Sequence, residues 1–168
     1  MFNEENSLDV AIGDTYQGGI VAYILQAGDP GYDANVQHGI ISAPSNQAGG
    51  AEVSWGCYGT LISGADGVAI GTGNQNTIDI LSGCSTDGIA AKYSADLVLG
   101  GYSDWYLPSE QEMNKVYLSR NLIGGFLNYF WISTEDGSNN AMLQYFGNGN
   151  QLSSPKNNTA FVRSIRSF

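Results

Sequence analysis

Few side chains in this sequence could do chemistry, and their types and spacing favour none of the common reactions. His38 is the single histidine, so it cannot head a metal cluster, and the chain has no CxxC, HExxH or EF-hand pattern. A serine triad would also need a GxSxG elbow, which is absent. Residues 64–73 are rich in glycine but lack GxGxxG and a lysine for a phosphate. We therefore expect a structural or turn-side role for His38 and a loop over residues 64–73.

Carboxylates are the remaining candidates for catalysis, since two of them could cleave a glycosidic bond. Nothing in the spacing selects a pair from the five that are available, which are Asp104, Glu110, Glu112, Glu135 and Asp136. Glu110 and Glu112 are better explained by favourable placement at a helix N-terminus.

The sequence contains one group of residues that could bind a metal ion and one pair of cysteines that could form a disulfide. Asp29, Asp33 and Asn35 carry the oxygen atoms that calcium takes, but a solvated turn is the favoured interpretation and we predict no cofactor. Cys57 and Cys84 allow only one pairing, and the sequence leaves open whether they form a disulfide or remain two buried thiols.

Composition bounds the class of protein. The 168 residues are the length of one domain, the net charge is −10, only 13% of residues are charged, and 23 are glycine. With six lysines and arginines in all, nucleic-acid binding is not expected, and no apolar run has the length of a membrane span. The charge is uneven, because residues 1–123 carry 14 acids and 3 bases whereas residues 124–168 carry 2 acids and 3 bases.

The sequence predicts both strands and helices to position these residues, which indicates an α+β domain. Strands are predicted over 18–25, 38–43, 129–134, 141–146 and 160–165, with a long irregular segment over 45–73. Helices are predicted over 74–81, capped by Asn74, and over 86–97. A third helix begins at the capping box of Ser109 and Glu112, and its apolar stripe, including Met113 and Val116, is expected to pack in the core.

Six motifs, spread from one end of the chain to the other, carry a resemblance to a known family. They are residues 13–20 (GDTYQGGI), 38–41 (HGII), 71–77 (GTGNQNT), 101–109 (GYSDWYLPS), 131–135 (WISTE) and 162–168 (VRSIRSF). Together they resemble the family of the C-terminal domain of a Legionella collagen-like adhesin. The resemblance implies a C-type-lectin-like fold: α+β, with mixed small sheets, two or three helices and long irregular loops. It covers residues 12–168 as a single domain, preceded by an N-terminal extension over 1–11.

The last 45 residues are similar to the variable region of proteins diversified by retroelements, which include the tropism-determining tail protein of a phage. The resemblance implies that residues 124–168 form the binding region. Met142 and Ile132 stand where the family usually has tryptophan and serine, and the calcium–sugar motifs EPN, QPD and WND are absent. The candidate ligand-binding residues are Ile132, Asp136, Ser138, Asn139, Asn140, Met142, Gln144, Tyr145, Asn148, Asn150, Leu152, Ser153, Ser154, Asn157, Asn158, Thr159 and Phe161.

The implied function is a binding module rather than an enzyme, an adhesin or phage receptor-binding protein that recognises a cell-surface protein or glycan from a virion tail or a bacterial surface. The mixture of asparagine, serine and tyrosine in residues 124–168 suits this role, because antibody loops use the same residues. Two alternatives remain open: a glycan hydrolase using Glu135 or Asp104, and a structural assembly module, with a homo-oligomer also left open. Arg163 and Arg166 are expected in structural ion pairs, with Glu135 as a partner.

Overall fold

Backbone hydrogen bonds between strands divide the fold into three small sheets. The structure is a computed structural model that describes residues 9–168. Residues 1–8 of the predicted N-terminal extension (1–11) lie outside the described residues. The strands are β1 (Thr15–Tyr16), β2 (Gly19–Ile24), β3 (Gly39–Ser42), β4 (Val53–Ser54), β5 (Tyr129–Asp136), β6 (Asn140–Tyr145), β7 (Gln151–Pro155), β8 (Thr159–Ala160) and β9 (Ile165–Ser167).

All pairings between these strands are antiparallel. The sheets have the orders β1-β2-β3-β9, β4-β8 and β5-β6-β7, so the last strand of the chain returns to pair with β3 near the start. Val10 belongs to the same region, since its backbone amide donates to Gln37 Oε1 at 2.8 Å and its side chain packs against the core residues of this sheet. The predicted strands 18–25 and 38–43 are confirmed as β2 and β3.

The predicted strand over 160–165 is wrong, because the chain divides it between two sheets. β8 pairs with β4, whereas β9 pairs with β3. Between them the backbone bonds to a loop instead, with the Gln47 amide donating to the Val162 carbonyl and the Ala43 amide to the Ser164 carbonyl, both at 2.9 Å.

Four α-helices lie within the described residues, not two or three. Their bounds are α1 (Gly73–Gly83), α2 (Ala90–Ala95), α3 (Glu110–Leu118) and α4 (Arg120–Ile123). Thr72 occupies the N-cap of α1, so the capping role predicted for Asn74 is wrong. The predicted helix 86–97 is shortened because Gly88 has a left-handed φ of 71° and the chain is extended at Ile89 before α2 begins. No helix of the described part is long and apolar enough to cross a membrane.

The capping box at the start of α3 is confirmed. The Ser109 amide donates to Glu112 Oε2 at 2.8 Å, and in the reciprocal bond the backbone amide of Glu112 donates to the side-chain oxygen of Ser109. Met113 and Val116 are fully buried, as the apolar stripe predicts. This helix packs against β2 and β5, and so connects the N-terminal sheet to the C-terminal one.

Replacing Ser109 by alanine is expected to lower the free energy of unfolding by about 1 kcal/mol. The change removes the cap of α3 and the bond from Ser109 Oγ to the Ala69 carbonyl. Urea denaturation would measure the effect against Ser103→Ala, an exposed position where little change is expected. Equal midpoints for the two variants would contradict a stabilising role for the cap.

Two apolar clusters lie on opposite faces of β5. Trp131 joins Trp55 and Leu143 in one cluster, whereas Phe130 joins Met113 and Val116 in the other. Successive side chains of a strand point to opposite faces, so an apolar run such as that of β5 indicates a strand covered on both sides. The sheet β5-β6-β7 is therefore the central layer, and its position determines which of its residues remain accessible.

Candidate ligand-binding groove

The register of the C-terminal sheet places an aromatic and apolar row on one of its faces. Tyr129 lies opposite Tyr145, and Leu143 lies opposite Leu152. Residues directly opposite each other in an antiparallel pair share a face. Trp131 lies on the same face and is fully buried by the elements packed against it. These elements do not cover Tyr129, which is exposed.

An open groove of about 410 Å³ lies on this uncovered part of the sheet. Its size falls within the roughly 300–1,000 Å³ typical of ligand sites. None of its lining side chains is charged, although the chain as a whole carries a net charge of −10. The lining residues are Tyr129, Leu143, Leu152, Ser153, Ser154, Asn158 and Thr159.

Two tyrosines mark one end of the groove. The rings of Tyr129 and Tyr145 lie 4.8 Å apart between centroids, at an interplanar angle of 34°. Tyr129 is 41% exposed and Leu152 is 44% exposed, so both present apolar surface to solvent. Tyrosine offers a large apolar ring together with a hydroxyl group that can form a hydrogen bond, and it is therefore suited to binding surfaces.

The polar wall of the groove is held by its own hydrogen bonds. Asn158 Nδ2 donates to Ser154 Oγ at 3.1 Å, and Thr159 Oγ1 donates to Glu52 Oε2 at 3.3 Å. These bonds fix the turn between β7 and β8 relative to the sheet. A ligand in the groove would therefore meet hydroxyl and amide groups in defined positions.

A buried ion pair joins the end of β5 to the β7–β8 turn, next to the groove. Lys156 is fully buried, donates to Glu135 and to the Thr60 carbonyl at 2.7 Å, and lies 4.8 Å from the centroid of the Trp55 ring. Glu135 Oε1 also accepts the Ile62 amide at 2.8 Å. The expectation that Glu135 pairs with an arginine is wrong, because Lys156 reaches it from the neighbouring turn.

Arg163 makes no carboxylate contact among the described residues, which corrects the predicted ion pair. Its guanidinium donates to Asn46 Oδ1 at 2.7 and 3.0 Å and to the Gly124 and Gly125 carbonyls at 3.2 and 2.9 Å. It also lies 4.0 Å from the centroid of the Phe126 ring. Burial lowers the pKa of Arg163 to about 10. The residue therefore ties the segment that leads into β5 to the irregular loop after β3.

Arg166 does form the expected structural ion pair, and its partner is Asp104. Arg166 Nε lies 2.7 Å from Asp104 Oδ1, and the second guanidinium nitrogen lies 2.9 Å from Oδ2. This bidentate contact lowers the pKa of Asp104 below its usual value.

Cys57 and Cys84 form a disulfide, with a Cα–Cα distance of 5.8 Å. It joins the irregular loop to the end of α1. The same loop contacts the β5–β6 turn, where the Gly59 amide donates to the Ser138 carbonyl at 3.0 Å. The crosslink therefore supports a turn next to the groove.

The predicted binding residues divide into several groups in the structure. Five of them line the groove: Leu152, Ser153, Ser154, Asn158 and Thr159. Tyr145 lies beside the groove, against Tyr129. Asp136 is the last residue of β5. Ser138 and Asn139 lie in the β5–β6 turn and Asn157 in the β7–β8 turn, and the two turns are joined by the Lys156 amide, which donates to the Asn139 carbonyl at 2.8 Å. Asn148 and Asn150 lie in the β6–β7 turn, where the Asn150 amide donates to Asn148 Oδ1 at 3.0 Å.

The remaining predicted residues lie on the other face of the sheet. Ile132 is fully buried in the cluster with Phe130, so its proposed contact role is wrong. Gln144 is also fully buried and is corrected likewise, since its amide nitrogen donates to the Gly149 carbonyl at 3.0 Å and to Asn114 Oδ1 at 3.3 Å. Asn140, Met142 and Phe161 are half-buried, the last two against the same cluster as Ile132.

Tyr129 and Leu143 are groove residues that sequence reasoning missed. Tyr129 precedes Trp131 by two positions, so period-two alternation would have placed it on the same face as the tryptophan. Leu143 could not have been found this way, because its contact with Leu152 depends on the unpredicted strand β7. The polar sequence of β7, QLSSP, gives little strand signal of its own.

The candidates for chemistry are engaged in structural contacts. His38 Nδ1 lies 3.0 Å from the Phe168 carbonyl, Asp29 Oδ2 accepts from the Gln26 amide and the Tyr23 hydroxyl, and Asp33 Oδ1 accepts from the Asn35 amide. Within residues 9–168 no three histidine, cysteine or acidic side chains come together in a way that could hold a metal ion.

The fold and the groove define an α+β domain of small antiparallel sheets, with a groove on its C-terminal sheet that is lined by one tyrosine, two leucines and uncharged polar side chains. Neither a model of a known protein family nor a curated protein matches the chain.

Proposed function

We propose that this protein is a C-type-lectin-like binding module that recognises a cell-surface protein or glycan through the groove and the turns that adjoin it. The observation that carries the proposal is the groove itself: a ligand-sized concavity whose lining is aromatic, aliphatic, hydroxyl and amide, with no charged group. Surfaces of this composition bind through ring area and adaptable hydrogen bonds.

The supports of the groove favour recognition by a preformed surface. The buried Lys156–Glu135 pair joins the end of β5 to the β7–β8 turn, and the disulfide anchors the loop that bonds to the β5–β6 turn. A binding surface that is already ordered loses less conformational entropy when a ligand binds. The asparagine-rich turns around the groove can then vary without disturbing the scaffold, as expected of a diversified face.

The disulfide also supports the proposed location on a virion tail or a bacterial surface. Disulfides persist in oxidising surroundings and are rare in the reducing cytoplasm of most organisms. The oxidised pair is thus the arrangement expected of a protein that meets its ligand outside the cell.

The hydrolase alternative gains no support from its two candidate carboxylates. Glu135 is buried and paired with Lys156, and Asp104 is held by two of the three guanidinium nitrogens of Arg166. A general acid needs a raised pKa and access to the scissile bond, whereas the pKa of Asp104 is lowered.

The test is a search for a ligand followed by two groove variants. Glycan arrays and bacterial envelope preparations would identify a bound partner of the unmodified protein. Tyr129→Ala and Tyr145→Ala are each expected to weaken that binding by about 30-fold, corresponding to a hot-spot loss of about 2 kcal/mol. Biolayer interferometry would measure the affinities.

Tyr32→Ala is the matched control, because Tyr32 is 43% exposed, close to the 41% of Tyr129, and does not line the groove. Its affinity should equal that of the unmodified protein. If the two groove variants bind as well as the control, recognition uses another surface. Sugar release from the envelope would favour the hydrolase instead, and a stable oligomer that hides Tyr129 would favour an assembly module.

A further inference from the structure

A second cavity, of about 240 Å³, lies between the N-terminal sheet and the start of α3 and shares no lining residue with the groove. It is smaller than the roughly 300–1,000 Å³ of sites for drug-sized ligands, so it suits a small molecule. Most of its wall is apolar and comes from Leu25, Pro30, Ile40, Ile70 and Phe168. Three polar side chains, His38, Glu112 and Ser167, also line it.

The hydrogen bonds of Glu112 indicate a carboxylate that accepts. Its Oε1 accepts the Gly71 amide at 2.9 Å, and its Oε2 accepts the Ser109 amide at 2.8 Å. Oε1 also accepts the Tyr106 hydroxyl at 3.3 Å, so every hydrogen bond of this side chain in the structure is one that it accepts, as a carboxylate does. Burial raises the pKa of Glu112, and the bonds from Ser109, Gly71 and Tyr106 oppose that effect.

A chain of hydroxyl groups connects Glu112 to Ser167. The Tyr106 hydroxyl lies 3.3 Å from Glu112 Oε1 and 2.8 Å from Ser167 Oγ. With its one proton directed to the carboxylate, Tyr106 must accept the Ser167 proton. Ser167 then has only acceptor lone pairs left to offer to the cavity.

The ring of His38 is oriented by a hydrogen bond to a backbone carbonyl. The Phe168 carbonyl can only accept, so the ring nitrogen Nδ1, 3.0 Å away, must donate to it. In the neutral imidazole the other nitrogen, Nε2, is therefore an acceptor.

The three polar side chains of the cavity thus share one character, which is to accept hydrogen bonds, and no lysine or arginine is among the lining residues. We infer that this cavity is a site for a small primary ammonium compound with an apolar body, held by Glu112, Ser167 and His38. The ammonium group supplies three donors and a positive charge for the carboxylate, and the apolar body meets the aliphatic and aromatic wall. This site is independent of the proposed recognition groove.

The test uses benzylammonium as the probe and benzyl alcohol as its uncharged counterpart. His38 is the only histidine of the chain, so its ring resonances can be followed in a two-dimensional NMR spectrum. It lines this cavity and a neighbouring pocket beside Tyr32 and Asp33. Of these two, only the cavity contains Glu112 and Ser167, so variants of those residues assign the shift to it. We expect a saturable shift of these resonances with benzylammonium. Benzyl alcohol should bind about tenfold or more weakly, as expected from the loss of a hydrogen bond to a charged group.

Three variants locate the site. Leu25→Trp should abolish the shift by filling the cavity, and Ser167→Ala should weaken binding by removing one acceptor. Glu112→Gln should weaken it about tenfold or more, since glutamine can still serve in the capping box but carries no charge. Leu152→Trp, in the groove, is the matched control and should leave the affinity unchanged.

The proposal is overturned if benzylammonium gives no saturable shift, if benzyl alcohol binds equally well, or if Leu25→Trp still binds the probe. If Glu112→Gln does not fold, Ser167→Ala still decides the matter, because Ser167 lines this cavity and not the neighbouring pocket that Leu25 and His38 share; an unchanged affinity of Ser167→Ala also overturns the proposal. None of these outcomes bears on recognition through the groove, which has its own variants.

Discussion

Replacing Glu135 by leucine is expected to lower the free energy of unfolding by about 3–5 kcal/mol, a large part of the stability of a domain of this size. The change leaves the Lys156 ammonium fully buried without its counter-charge. It also removes the acceptor of the Ile62 amide. The remaining partner of Lys156, the Thr60 carbonyl, is neutral and cannot replace a carboxylate.

The size of this effect can be isolated with a double-mutant cycle. Lys156→Met removes the buried charge, so Glu135→Leu combined with Lys156→Met should recover much of the loss seen for Glu135→Leu alone. Lys92→Ala is the control for an exposed pair, since Lys92 and Asp96 form an i,i+4 contact at the surface that is worth about 0.3–0.5 kcal/mol. Urea denaturation would measure the unmodified protein, the two single variants, the double variant and the Lys92→Ala control. A loss for Glu135→Leu no larger than that for Lys92→Ala would show that the pair does not stabilise the fold.

Removing the disulfide is expected to cost about 3–4 kcal/mol, from the loop-closure entropy of a crosslink between residues 27 positions apart. The variant Cys57→Ser combined with Cys84→Ala would show this as a lower urea midpoint. The unmodified protein should move to a similar midpoint when a thiol reductant is added. The variant itself should not respond to the reductant, which makes it the control for unrelated effects of the reagent.

The same variant should also affect the turn near the groove. The loop that carries Cys57 bonds through Gly59 to Ser138, so amide hydrogen exchange in the β5–β6 turn should speed up when the crosslink is absent. Exchange in β2, which lies in the N-terminal sheet, should change less. Equal urea midpoints for the oxidised and reduced protein would contradict a stabilising crosslink.

The local elements were the part of the fold that could be predicted. β2 and β3 were found from their β-branched runs, and α3 from its capping box, because these signals depend on neighbours within a few residues. The strand predicted over 160–165 failed for the opposite reason. Its residues are equally strand-like throughout, and only their partners, β4 and β3, divide them between two sheets.

The candidate site was predicted only in part, because the burial of a strand residue also depends on partners distant in sequence. The polar turns and Leu152 were named correctly as accessible, but Ile132 and Gln144 were placed on the surface although both are fully buried. A position in a strand faces the core or the solvent according to which sheet covers it, and that information is not local. Tyr129 was missed because Trp131, on the same face of the strand, is fully buried while Tyr129 is exposed, and this difference depends on which elements pack against the sheet.

By itself, the sequence determined the α+β class, the uneven distribution of charge, the capping of α3 and the polar, amide-rich character of the last 45 residues. These properties follow from composition and from short-range patterns. The tertiary structure alone decided that Lys156 rather than an arginine neutralises Glu135, that Cys57 and Cys84 are joined, and which tyrosines stand open beside the groove. Each of these depends on residues distant in sequence coming together, and a buried charge or an uncovered ring is defined only by what packs against it.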